Sequence, residues 1–79
     1  MNISVTIEPY EENYQLKFPK ACESSNVKIY NSNGQLIINE MLRNDNINIH
    51  NSLLDNEKYY LMMLTTTTNV LYKVLHFAS

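Results

Sequence analysis

Val27-Lys28-Ile29-Tyr30-Asn31-Ser32-Asn33-Gly34-Gln35-Leu36-Ile37-Ile38 is the stretch on which the reading of this chain turns. Val27 and Ile29 alternate with Lys28 and Tyr30, the period of two that sends one set of side chains to a core and the other to solvent. Asn33-Gly34 follows. That dipeptide is the strongest short-range hairpin signal, because both residues tolerate the positive φ of a tight turn. Gly34 is the only glycine in 79 residues, so its place after an alternating strand weighs heavily. A second strand is expected over 35–41. Its Leu36-Ile37-Ile38 run is apolar on both faces, and its inward side stays open at this point.

The same period extends outward from the hairpin. Ile3, Val5 and Ile7 alternate with Ser4 and Thr6, giving a first strand over 3–7 that Pro9 is expected to end, since proline donates no ladder hydrogen bond. Tyr14, Leu16 and Phe18 make a second run closed by Pro19, and 20–25 reads as a loop. After a turn cluster at Arg43-Asn44-Asp45-Asn46, Ile47 and Ile49 alternate with Asn48 and His50 in a short fifth strand. A loop over 51–58 follows, with Leu53 or Leu54 tucked inward. Tyr59-Tyr60-Leu61-Met62-Met63-Leu64 forms a sixth strand, 65–69 a turn, and 70–77 a seventh. Seven strands at about ten-residue spacing, separated by polar turns, predict a seven-strand antiparallel immunoglobulin-like β-sandwich, a single domain over 1–79. The rival for 56–64 is a short helix, favoured by Met, Leu, Glu and Lys. Two adjacent tyrosines and four following threonines oppose it.

Bulk composition narrows the function classes. Charged residues make up 18% of the chain and hydrophobic ones 44%, which excludes a disordered composition. The formal charge is −2, and Lys17, Lys20, Lys28, Arg43, Lys58 and Lys73 stand singly. Nucleic acids and anionic membranes call for a clustered basic face, so neither is an expected partner. No apolar stretch is long enough to span a bilayer. The first 20 residues carry Glu8, Glu11 and Glu12 and do not read as a signal peptide. Cys22 is the only cysteine, which rules out an intrachain disulfide and a cysteine-based zinc site within one chain.

No constellation points to catalysis, and no cofactor is expected. His50 and His76 sit on strands among apolar or amide neighbours and read as exposed or rim histidines. Cys22 lies at a loop edge with no activating turn beside it. Glu11-Glu12 reads as a solvated turn, because adjacent loop side chains point apart. Asp45, Asp55 and Glu57 lack the alternating oxygen ligands and the glycine of a calcium loop.

The last two strands carry the one direct functional hint. If Tyr59, Leu61 and Met63 face in, then Tyr60, Met62 and Leu64 face out, and the outer row is apolar. If Tyr72, Val74 and His76 share one face, then Leu71, Lys73, Leu75 and Phe77 share the other. Both strands are apolar on both sides, and monomers rarely leave such a surface bare. The candidate interaction face is Tyr60, Met62, Leu64, Leu71 and Leu75, meeting a protein partner or a second copy of the chain through that face or an exposed strand edge. On this reading Tyr59 is a core ring whose truncation costs about 3–5 kcal/mol.

Val27-Lys28-Ile29-Tyr30, the Asn31–Gly34 turn, Leu36-Ile37-Ile38, Ile47-Asn48-Ile49, Leu53 or Leu54, Tyr59 and Lys73 also form a pattern. Residues 26–75 resemble the C-terminal β-sandwich domains of secreted Bacteroidetes-type proteins. One such group is the sorting domain of type IX secretion. The other consists of small, free-standing, secreted immunoglobulin-like domains of unestablished function, which Ile7-Glu8-Pro9 and Leu16-Lys17-Phe18 fit better. The resemblance implies an extracytoplasmic, non-catalytic module for protein or cell-surface interaction. The alternative it implies is a C-terminal sorting or anchoring domain of a longer exported protein.

Overall fold

The structure is a computed structural model and describes residues 3–54 and 59–77. Seven strands run in chain order: β1 (Thr6–Tyr10), β2 (Asn13–Lys17), β3 (Asn26–Tyr30), β4 (Leu36–Met41), β5 (Asn46–His50), β6 (Tyr59–Thr65) and β7 (Val70–His76). Two single 3-10 turns, Lys20–Cys22 and Asn51–Leu53, are the only helical segments among the described residues. One sheet has the order β1-β2-β5 and the other β4-β3-β6-β7, and every pairing is antiparallel. Lettered A, B, C, C′, E, F, G along the chain, the sheets are A-B-E and G-F-C-C′, with C′ beside C as in variable-type immunoglobulin domains. The predicted all-β immunoglobulin-like sandwich is the fold observed.

The inner faces close on one core. Leu16, Val27, Ile29, Leu42, Ile49, Met62 and Leu64 are fully buried, with Tyr60, Leu75 and Phe77 beside them. Phe77 ties the sheets together. Its ring meets Tyr14 of the three-stranded sheet edge-on at 5.1 Å and Tyr60 of the four-stranded sheet edge-on at 5.4 Å. Such edge contacts each add about 0.5–1.5 kcal/mol beyond burial. Leu54 packs against this core while Leu53 is exposed, which settles that either-or.

Two local expectations are corrected, and the sixth strand is borne out against its rival. The first strand is Thr6–Tyr10 and runs through Pro9 instead of ending before it. β1 pairs only with β2, so Pro9 sits on an edge strand, where a missing N–H costs no ladder bond. The hairpin between β3 and β4 is not a two-residue turn with Asn33 and Gly34 both at positive φ. Among its residues only Gly34 is, at φ 80°. The Gly34 amide donates to the Asn31 carbonyl at 3.0 Å, and Asn31 and Gln35 pair beyond it. This is a three-residue loop with its glycine in the left-handed position. The buried Asn31 side chain holds it: Oδ1 accepts from the amides of Asn33 and Gln35 at 3.0 and 2.9 Å, and Nδ2 donates to Gln35 Oε1 at 2.9 Å. Finally, residues 59–65 are strand and not helix. The rest of the helical alternative, with Asp55 and Glu57, lies outside the described residues.

Candidate interaction face

Which row of β6 turns outward is decided by its neighbour. Along β3 Val27 and Ile29 are fully buried and face the core, while the charged Lys28 sets the alternate row, with Tyr30, outward. The register pairs Val27 with Leu64 and Ile29 with Met62. Residues opposite each other in a sheet share a face, so Leu64 and Met62 go inward and Tyr60 follows by alternation. The expected interaction face is therefore inverted. Tyr60, Met62, Leu64 and Leu75 are buried in the core, and Leu71 packs against it. The outward row is Tyr59, Leu61 and Met63, and Tyr59 is 60% exposed instead of being a core ring. A slip of one residue exchanges the two rows, and Tyr59–Leu64 by itself carries no charged or amide side chain to forbid it.

An apolar outer surface exists, built from the opposite side chains. Register lays it out in rows. Val74, Leu61, Tyr30 and Leu36 lie side by side across all four strands. On one side of that row is the pair His76 and Tyr59. On the other come Tyr72, Met63, Lys28 and Asn39, and beyond them Val70, Thr65, Asn26 and Met41. Leu36, Tyr59, Leu61, Val70, Tyr72 and Val74 are all exposed. The rings of Tyr59 and His76 stack at 4.7 Å with 14° between their planes, fixing one corner. Tyr30, Tyr59, Leu61, Met63, Tyr72 and Val74 line a shallow groove of about 670 Å³ that ends at the Asn31–Gly34 loop. Polar side chains enter the face at Lys28 and Asn26 of β3 and Asn39 of β4, beside the exposed Leu36 and Met41, and Asn26 Nδ2 donates to Asn39 Oδ1 at 3.3 Å.

The titratable side chains do not converge. His50 lies on the outer face of the three-stranded sheet and His76 on the outer face of the other. His50 Nδ1 accepts from the Ser52 amide at 3.1 Å and caps the 3-10 turn, and Nε2 lies 3.5 Å from Glu12 Oε2. Both partners are exposed, so this is a local contact of small energy. Cys22 is buried in the core, and burial pushes its thiol pKa up, which holds it as the unreactive thiol at neutral pH. Among the described residues no group of three or more His, Cys, Asp or Glu could hold a metal ion. No helix among them is long and apolar enough to cross a membrane.

Sequence reasoning did not anticipate the place of Lys73. It lies on the inward row of β7, opposite the fully buried Met62. Because β7 is an edge strand, the long side chain leaves through the seam between the sheets, and Nζ donates to the Ile3 carbonyl at 3.2 Å. A lysine at an odd position among Leu71, Leu75 and Phe77 was the available signal.

Fold and surface together define a class: a small immunoglobulin-like sandwich that carries one apolar, tyrosine-bearing outer face. Comparison with protein-family models, with curated proteins and with solved structures finds no match to the chain.

Proposed function

We propose that the chain is a non-catalytic interaction module that docks a protein partner on the outer face of its four-stranded sheet. One observation carries this reading: Tyr59, Leu61, Tyr72 and Val74 are all exposed on adjacent strands of one face. Exposed contiguous apolar surface raises the free energy of a monomer in water, and rims of polar residues around such patches mark docking sites. Tyrosine suits the role, since it offers a rigid apolar area and a polar tip that tolerates water before binding. The extracytoplasmic setting belongs to the same proposal and rests on the resemblance of residues 26–75.

The test compares three immobilised chains against extracts of the source cell: wild type, Val74→Lys on this face, and Asn48→Lys on the outer face of the other sheet. Retained proteins are identified by mass spectrometry. The expected result is a set held by wild type and by Asn48→Lys and lost by Val74→Lys. Identical sets on all three baits would overturn the reading.

A further inference from the structure

We infer that the partner seated on this face is a second copy of the chain, in an isologous dimer about a two-fold axis through the outer face of the β4-β3-β6-β7 sheet. The inference rests on the docking reading above and names its occupant. Its first support is area. An aromatic side chain carries roughly 200 Å² and an aliphatic one roughly 100 Å². Tyr59 and Tyr72 are 60% and 65% exposed, and Leu36, Leu61, Val70 and Val74 are 46%, 40%, 49% and 63% exposed. Together they leave about 450 Å² of apolar surface on the face. A standard interface takes about 800 Å² from each partner, of which about 56–65% is apolar, or about 450–520 Å². The face thus supplies the apolar share of one complete standard-size interface.

The second support is self-complementarity. A two-fold interface sets the same patch against itself, so any charge near its middle meets its own kind. Here the middle row of Val74, Leu61, Tyr30 and Leu36 has no charge, and Lys28 stands one row away toward the polar margin. No ion pair or charge pattern in the patch selects a foreign partner.

The third support is that the strand edges, the other route to self-association, are each obstructed. β1 carries Pro9, β4 has a bulge where its register with β3 shifts between Ile29 and Tyr30, and β7 turns Lys73 inward at the seam. β5 is only five residues long and alternates Asn46 and Asn48 with its core residues. These are the devices by which sheets avoid edge-to-edge pairing. With edges obstructed and the opposite outer face polar, the apolar face is what remains for a second copy.

Sedimentation of the whole chain from about 1 μM to about 1 mM tests this, the span over which weak standard-size interfaces titrate. Wild type is expected to pass from monomer to dimer and no further. Val74→Lys and Tyr72→Lys, each with an unchanged thermal midpoint, are expected to raise the dimer dissociation constant at least tenfold. Asn48→Lys on the other sheet is expected to leave it unchanged. A wild-type monomer at the top of the range overturns the second copy, and the docking reading then stands or falls on the retention comparison above. A dimer that ignores both lysine variants overturns the assignment of the interface to this face. Growth into larger species overturns the closed two-fold.

Discussion

The two sheets bury matching inner faces and present opposite outer ones. On the three-stranded sheet the outward rows are Thr6, Lys17 and Asn46, then Glu8, Gln15 and Asn48, then Tyr10, Asn13 and His50. Every position is polar or carries a polar end, and the one aromatic stands at the sheet's margin. On the four-stranded sheet the central row is Val74, Leu61, Tyr30 and Leu36. Solubility explains the first pattern: one face in the core and one in water. It does not explain the second. Folding alone would be served as well by Thr or Lys at 61 and 74, and the docking proposed above gives the exposed Leu61 and Val74 a role that folding does not.

The largest effect tests what the sheets share. Phe77 is the ring between Tyr14 of one sheet and Tyr60 of the other. Phe77→Ala is expected to cost about 3–5 kcal/mol, read as a lower urea midpoint with an unchanged slope. A loss below about 1 kcal/mol would mean that the sheets do not close on this ring.

Next come two hairpins, β3–β4 and β1–β2, taken from different sheets. Gly34 adopts φ 80° with nothing within 4 Å of where a Cβ would stand, so Gly34→Ala meets backbone strain alone and is expected to cost about 1–2 kcal/mol. The β1–β2 turn places Glu11 at φ 54° without a glycine. Glu11→Gly is therefore expected to stabilise the chain, by up to about 1 kcal/mol after the extra freedom of the unfolded glycine is counted. Thermal midpoints moving in opposite directions would confirm the asymmetry; two losses would sink it.

The smallest effect is the sharpest for the outer faces. Tyr59→Ala is expected to cost less than about 1 kcal/mol, because the ring is exposed and loses mainly its stack on His76. A cost of about 3 kcal/mol or more would reverse the rows of β6 and return Tyr60, Met62 and Leu64 to the surface.

Legibility followed alternation. Val27-Lys28-Ile29-Tyr30 and Asn46-Ile47-Asn48-Ile49 each carry one polar and one apolar row, so strand and inward face are both readable and both agree with the structure. Tyr59–Leu64 is apolar in both rows, so its existence was readable and its orientation was not. Pro9 misled because edge and central strands are indistinguishable from local sequence, and only pairing separates them.

The sequence by itself determined that this chain is a seven-strand sandwich and that its last two strands hold more apolar surface than one core can bury. Period-two patterning and turn chemistry are local, and they suffice for that. Only the tertiary structure decided which half of that surplus stays outside. The register of β6 against β3 commits Met62 and Leu64 to the core through Val27 and Ile29, and leaves Tyr59, Leu61, Tyr72 and Val74 on the surface. Register is a relation between strands distant in sequence, and a strand with two equivalent rows holds no information about it.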